Sequence, residues 1–191
     1  MFLKINYYLY NCIYFFNQMT ETLIIYSTTD GQTTKICNKL IEKNFKNEAK
    51  LCSLDEAIKE DLKIYKKIII GASIRYGKHN PNVFNFIKKN INILNKTKTA
   101  FFSVNVVARK QEKNTPSTNP YVIKFMKQTD WKPTNVGVFA GKVDYPSYGL
   151  FDKYIIKFIM WLTKGPTDIS KSYEFTDWDE VEKFGEIINK M

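Results

Sequence analysis

Short apolar runs alternate with amphipathic segments along most of this chain, and the alternation limits the folds open to it. The segment Lys67–Gly71 reads KIIIG, a continuous apolar run typical of a strand buried on both faces of a parallel sheet. The segment Pro81–Leu94 instead repeats apolar residues at helical spacing and has a proline in its first turn. Strands that alternate with helices favour an α/β fold with a parallel sheet.

The same patterns predict five strands and the helices between them. The expected strands are Thr22–Tyr26, Ala49–Leu54, Lys67–Gly71, Thr99–Val104 and Asn135–Ala140. The expected helices are Gln32–Phe45, Asp55–Leu62, Pro81–Leu94, Tyr121–Lys127 and Trp178–Asn189. Five strands joined in this way correspond to a doubly wound, flavodoxin-like sheet of order 2-1-3-4-5.

Two segments exceed what this topology needs. Asn105–Pro120, after the fourth strand, is longer than a usual strand–helix loop. Asp144–Gly165 contains an additional helix, predicted over Phe151–Lys164. Its lysines are expected on one side and its apolar residues over the remainder: Lys153, Lys157 and Lys164, then Tyr154, Ile155, Phe158, Ile159, Trp161 and Leu162. Two interpretations stay open, an interfacial membrane helix and a core helix whose lysines extend to solvent.

Composition narrows the function classes. The 191 residues include 29 Lys and Arg against 19 Asp and Glu, a net charge of +10 that attracts phosphates, carboxylates or an anionic membrane. No zinc-finger spacing or RNP-like aromatic motif supports nucleic-acid binding. Three cysteines without CxxC spacing and a single histidine support neither a disulfide framework nor a metal site, and they fit a reducing cytoplasm.

Residues 1–18 form an aromatic N-terminal extension ahead of the patterned domain, which we expect over residues 19–191. The extension is shorter than the roughly 20 apolar residues that cross a bilayer, and it has no small-residue cleavage site typical of a secretory signal. Its tyrosines and phenylalanines suit a membrane interface, whereas a dispensable tail is the alternative. The sequence leaves open whether the chain forms a homo-oligomer.

The loop after the first strand combines hydroxyl groups, a glycine and a helix start, which together suit a bound anion. Its residues are Ser27, Thr28, Thr29, Asp30, Gly31, Gln32 and Thr33. The loop lacks the GKT or GKS of a triphosphate-binding loop and the three glycines of a dinucleotide fingerprint. A terminal monophosphate is therefore favoured over a pyrophosphate, and the alternative is an ordinary helix cap.

Two further loops end at the same edge of the predicted sheet, where ligands bind in folds of this type. Gly71–His79 offers small residues, an aromatic side chain and basic groups, so that a planar ring could lie against it. After the fourth strand, Ser103, Val104 and Asn105 provide a second wall, and the cations Arg109 and Lys110 follow. The alternative is that Tyr76 and the cations are ordinary surface residues. A lone histidine and no GxSxG elbow argue against a hydrolase.

The motifs at these loops resemble one family. STTDGQT, IGASIRYGKHN, FFSVNVVARKQEKNTPSTNPYVIKF and FTDW at Phe175–Trp178 are similar to the bacterial flavodoxin-like, quinone-dependent protoporphyrinogen oxidases. The resemblance runs from about residue 19 to the C-terminus. It implies an FMN cofactor, protoporphyrinogen IX as substrate, a membrane quinone as electron acceptor, and a role in haem biosynthesis at the cytoplasmic face of the cell membrane.

The resemblance also implies roles for individual residues. Ser27, Thr29, Gly31, Gln32 and Thr33 bind the FMN phosphate. Ala72, Ser73, Ile74, Arg75, Tyr76 and Gly77 lie along the isoalloxazine, and Ser103, Val104 and Asn105 complete its other edge. Flavin N5 takes up hydride in three successive rounds, so no side-chain nucleophile is implied. Arg75, Arg109 and Lys110 are our candidates for the substrate propionates, because charged donors bind carboxylates strongly when partly desolvated.

A flavodoxin-type electron carrier without a small-molecule substrate is the competing hypothesis. It shares the phosphate loop but is expected to have an acidic surface. The net charge of +10, the long basic insertion and the additional helix disfavour it.

Overall fold

The computed structural model describes residues 21–46 and 48–191, so the predicted extension at 1–18 lies outside the described residues. Five parallel strands form the main sheet: β1 Thr22–Ser27, β2 Ala49–Ser53, β3 Lys67–Arg75, β5 Lys98–Val104 and β6 Asn135–Phe139. Their spatial order is β2-β1-β3-β5-β6. Counted among parallel strands alone, this is the predicted order 2-1-3-4-5, and the flavodoxin-like fold is confirmed.

Three shorter strands were absent from the predicted set. β4 (Lys78–His79) pairs antiparallel with the end of β3, while β7 (Lys142–Asp144) and β8 (Ser172–Glu174) form a separate antiparallel pair. The helices are α1 Gln32–Asn44, α2 Leu54–Ala57, α3 Pro81–Leu94, α4 Pro120–Lys127, α5 Leu150–Leu162 and α6 Trp178–Asn189.

Side-chain caps fix where several helices begin. The Asn80 side chain accepts a hydrogen bond from the amide of Asn82 ahead of α3, and Asn119 accepts from the first-turn amides of α4. Asp177 caps α6 in the same way. Each cap satisfies amides that a helix leaves without partners, so these boundaries are encoded locally.

The isoleucine run of β3 is buried on both faces because successive side chains of a strand point to opposite sides. Ile68 and Ile70 pack into one core layer with Val83 and Ile87 of α3. Ile69 packs into the other layer, which contains side chains of α1 and α6. The sheet thus lies between two helical layers, and its carboxyl edge is held rigidly.

Three predicted boundaries were wrong, and the first and third of them bear on the candidate site. β3 continues to Arg75 rather than ending at Gly71, because its polar end pairs with β4. The helix predicted over Asp55–Leu62 ends at Ala57, and a 3-10 turn follows at Leu62–Ile64. α5 ends at Leu162, and Lys164 has a positive φ of 55°, so Lys164 does not lie on the helical side predicted for it.

Among the described residues, none of the helices has the length and apolarity needed to cross a membrane.

Candidate functional site

The loop between β1 and α1 turns on Gly31, whose φ of 81° is a left-handed conformation that favours glycine. The Gly31 amide donates to Thr28 Oγ1 at 3.0 Å, which closes the turn. Gly31 is the N-cap residue of α1, and no side chain among the described residues caps this helix. The first-turn amides of α1 and the positive end of its dipole are therefore available to an anion.

Thr33, in the first turn of α1, supplies a test of whether this loop fits a phosphate. The residue is fully buried, and its Oγ1 has no hydrogen-bond partner among the described residues. A buried hydroxyl without a partner costs free energy that a bound acceptor would recover. The residues present therefore fit a phosphate group at the N-terminus of α1.

The turn between β3 and β4 brings an aromatic side chain beside this loop. Tyr76 and Gly77 both have positive φ, 49° and 75°, as in two-residue hairpin turns. That conformation is uncommon for a tyrosine, and 64% of the Tyr76 side chain is exposed. Its hydroxyl donates to Asp152 of α5 at 2.7 Å. The turn thus presents a large ring at the edge of the sheet.

The segment that follows β5 is held in place by buried hydrogen bonds. Ser103 Oγ accepts from Asn105 Nδ2 at 3.3 Å and lies 3.0 Å from Nε2 of His79. The Asn105 Oδ1 accepts from the Ala108 amide and from Asn119 Nδ2. Burial lowers the pKa of His79 to about 4, so its imidazole is neutral at pH 7. Each member of this network holds the next in one orientation.

These elements enclose a cleft of about 520 Å³. Most of the predicted cofactor-binding residues line it: Thr28, Thr29, Asp30, Gln32, Thr33, Ser73, Ile74, Arg75, Tyr76, Gly77, Val104 and Asn105. The other predicted residues are not among those that line the cleft: Ser27, Gly31, Ala72 and Ser103. The cleft brings the three predicted loops together, while the binding role of each residue stays a prediction.

Sequence reasoning missed one wall of the cleft. This wall comes from α5 and the segments around β7: Gly141, Lys142, Val143, Tyr148, Ile155, Ile156, Ile159, Met160 and Thr163. A signal was available, because α5 carries apolar residues on more than one side, which a helix with a single buried stripe does not need.

Arg75 is engaged by two carboxylates. Its Nη1 lies 3.1 Å from Asp30 Oδ2 in the β1–α1 loop, and its Nη2 lies 2.5 Å from Asp152 Oδ2 in α5. The Tyr148 hydroxyl also donates to Asp30, at 3.3 Å. This cluster ties α5 to the anion loop and leaves the guanidinium little free charge for a further anion.

Arg109 is also engaged, at the C-terminal end of α5. Its Nη1 donates to the Val106 carbonyl, and its Nη2 donates to both the carbonyl and the hydroxyl of Thr163 at 3.0 and 2.8 Å. Burial lowers its pKa. Lys110 lines a neighbouring cavity instead of the cleft. The assignment of these cations to substrate propionates stays a prediction, and the structure gives both arginines other partners.

Comparison with known proteins places this chain in a family. The pattern of the flavodoxin domain family matches residues 23–170. A Leishmania major protein named protoporphyrinogen IX dehydrogenase (quinone) is 43% identical over 88% of this chain and 74% of its own. The Escherichia coli K12 protein of the same name is 40% identical over 86% of this chain and 92% of its own. The chain belongs to this dehydrogenase family.

Solved structures support the fold of this family member. Oxidised flavodoxin 2 from Bacillus cereus superposes with a TM-score of 0.52, covers 89% of this chain and 97% of its own, and is 17% identical. At that identity the likeness shows the fold alone. The flavodoxin domain implies a flavin cofactor, and the anion loop with its unpartnered Thr33 hydroxyl suits the phosphate end of one.

Proposed function

We propose that this chain oxidises protoporphyrinogen IX to protoporphyrin IX, with FMN in the cleft and a membrane quinone as electron acceptor. The names of its relatives supply the substrate and acceptor. The observation that carries the proposal is the cleft itself, in which an anion loop with a buried, unpartnered hydroxyl opens onto a predominantly apolar cavity large enough for a cofactor.

FMN is favoured over a dinucleotide flavin because the loop offers one helix N-terminus and one left-handed glycine. We assign the binding of the monophosphate to Thr29, Gly31 and Thr33. Asp30 in the same loop is acidic, and its ion pair with Arg75 offsets the repulsion that its carboxylate would exert on a phosphate. When bound, FMN supplies the hydride-accepting chemistry.

The protein contributes orientation and exclusion of water. Ile155, Ile156 and Met160 of α5 cover the cleft with apolar groups, which lowers the local dielectric and strengthens the polar contacts beneath them. Asn105, held by Asn119 and Ser103, presents an amide of fixed orientation at the opposite wall. Tyr76 provides a ring against which a planar group can stack.

The proposal includes peripheral binding to the cytoplasmic face of the cell membrane. A porphyrinogen and a membrane quinone are both apolar enough to be delivered from a bilayer. α5 has an outward surface, which we call the outer α5 face, made of exposed apolar side chains: Leu150, Phe151, Tyr154, Phe158, Trp161 and Leu162. Large exposed apolar patches mark interaction sites, and the positive net charge suits an anionic lipid surface.

The deciding experiment is anaerobic incubation of FMN-loaded protein with protoporphyrinogen IX and a quinone, followed by porphyrin fluorescence. We expect porphyrin and quinol to form, and only when protein, FMN and quinone are all present. Omission of each component in turn controls for spontaneous oxidation. A yellow, folded protein that forms porphyrin no faster than the protein-free control rejects the proposal and favours a flavodoxin-type electron carrier.

A further inference from the structure

A second cavity of about 480 Å³ adjoins the cleft in which we propose that FMN binds, here called the flavin cleft. It lies between β4, the start of α3 and α4, and it shares Gly77 and Tyr121 with the cleft. We call it the lysine pocket, after Lys78 and Lys124 in its lining. The proposed function gives no role to this pocket.

The volume of the main cleft leaves little room for a second ligand beside a cofactor. About 520 Å³ lies within the range that holds a single cofactor or drug-sized ligand. A tetrapyrrole that reacts at the flavin must therefore extend outside the cleft, into space continuous with it. The lysine pocket is the neighbouring space that we consider, because Gly77 and Tyr121 border both cavities.

The floor of the lysine pocket is aromatic and well supported. The rings of Phe84 and Phe125 lie 4.9 Å apart. Phe125 stacks on Phe101 of the core at 4.0 Å and meets the His79 ring edge-on at 5.1 Å. Rings fixed in this way offer a rigid apolar surface to pyrrole rings at little cost in side-chain entropy.

The rim of the lysine pocket is cationic. Lys78 and Lys124 are exposed, and neither forms an ion pair with any of the described residues. No aspartate or glutamate is among the residues that line the pocket. This contrasts with Arg75, which is held by two carboxylates, and with Arg109, which caps α5. The two lysines are therefore the better partners for an incoming carboxylate.

We propose that the lysine pocket binds the carboxylate-bearing edge of the tetrapyrrole substrate. Lys78 and Lys124 pair with the two propionates, and the pyrrole rings lie on Phe84, Tyr121 and Phe125. The macrocycle then reaches the flavin cleft past Gly77. This inference rests on the proposed function, and it replaces Arg75, Arg109 and Lys110 as the residues that recognise the propionates.

The test compares two double charge reversals. Lys78→Glu with Lys124→Glu changes the pocket, whereas Lys88→Glu with Lys127→Glu changes the net charge equally on the same two-helix surface without lining it. Protoporphyrin IX is titrated into FMN-loaded protein without quinone and followed by fluorescence. We expect the pocket variant to raise the dissociation constant by about tenfold or more, and the control by less than about twofold.

An esterified ligand separates charge recognition from general damage. Wild-type protein is expected to bind protoporphyrin IX dimethyl ester about tenfold more weakly than the free acid, whereas the pocket variant, which has two carboxylates in place of the ammonium groups, binds the free acid no more tightly than the ester. In turnover the KM for protoporphyrinogen rises, while the KM for quinone and the affinity for FMN are unchanged. If the charge reversal prevents folding, Lys78→Gln with Lys124→Gln gives the same pattern with a smaller change.

Equal dissociation constants in the pocket and control variants overturn the inference. A rise in the KM for quinone alone also overturns it, because that result would assign the pocket to the electron acceptor. The proposed function fails separately, when wild-type protein loaded with FMN forms no porphyrin. If wild-type protein is active and the pocket variants bind protoporphyrin IX as wild type does, the role of the lysine pocket is rejected and the proposed function is retained.

Discussion

Thr33 carries a cost in the flavin-free protein, because its buried hydroxyl has no partner among the described residues. Such a group costs about 1–3 kcal/mol of desolvation. Valine has nearly the same shape without the hydroxyl. We expect Thr33→Val to leave the free energy of unfolding of flavin-free protein equal to or about 1 kcal/mol above that of wild type, and to weaken FMN binding about tenfold.

Chemical unfolding and quenching of FMN fluorescence measure the two quantities. Thr34→Val is the matched control, since Thr34 follows in the same helical turn but does not line the cleft. It should leave FMN affinity unchanged. A Thr33→Val variant that binds FMN as tightly as wild type would remove Thr33 from the phosphate site.

His79 makes stability depend on pH. Burial lowers its pKa in the folded protein from 6.5 to about 4. Between these values the unfolded chain binds a proton that the folded protein does not, so the free energy of unfolding falls as the pH is lowered through this window. The loss reaches about 3 kcal/mol near pH 4, and none of it is present above pH 6.5.

Urea unfolding of wild type and His79→Gln at a series of pH values tests this. Because the chain has a single histidine, the difference between the two curves isolates its contribution from that of the carboxylates. We expect the difference to be constant above pH 6.5 and to shift by about 3 kcal/mol in favour of the variant as the pH falls to 4. Parallel curves would mean that His79 titrates normally in the folded protein.

For individual residues, the sequence predicts which loops border the cleft better than it predicts which charged side chains pair with each other. The hydroxyls and glycine of the β1–α1 loop are neighbours in the chain, so their convergence is local. Arg75 and its partner Asp152 are 77 residues apart, and their pairing depends on how α5 packs over the cleft. A free cation and a paired one have the same sequence signature, so the sequence does not reveal that Arg75 and Arg109 have partners within the protein.

Helices and strands were predictable where a single local sequence pattern dominated. The isoleucine run located β3, and Asn80 with Pro81 located the start of α3. The hairpin from β3 to β4 was not predicted, because Tyr76 is an unusual residue for a left-handed turn position and the strands continue through polar residues. α2 is short because Ile58, after it, is exposed and extends no buried face.

The two alternatives for α5 both describe part of the helix. Ile155, Ile156 and Met160 face the cleft as core residues do, while the outer α5 face is exposed. Periodicity identifies an amphipathic helix with one polar side, but α5 is apolar toward the cleft and away from it. A sequence alone does not say which apolar side is covered, since that depends on the position of β7 and β8.

For the whole molecule, we propose that the net charge of +10 and the outer α5 face act on the same partner, an anionic membrane. In this proposal, long-range attraction would concentrate the protein at the membrane surface, and insertion of the apolar side chains would then hold it there. We expect the full chain to float with vesicles that contain phosphatidylglycerol, and to float less with neutral vesicles or at high salt, because salt screens only the first of these contributions.

Substitution of Phe158, Trp161 and Leu162 by serine tests the second contribution. Each side chain is more than half exposed, and their removal from the interface should lower vesicle affinity by about a hundredfold or more. The matched control replaces three exposed isoleucines outside α5, Ile58, Ile64 and Ile187. Both variants retain residues 1–18, so any binding by that segment is common to them. Equal flotation would contradict the role of the outer α5 face. Loss confined to the α5 variant, with FMN binding intact, would place the flavin cleft beside the lipid surface, since the opposite side of this helix lines the cleft.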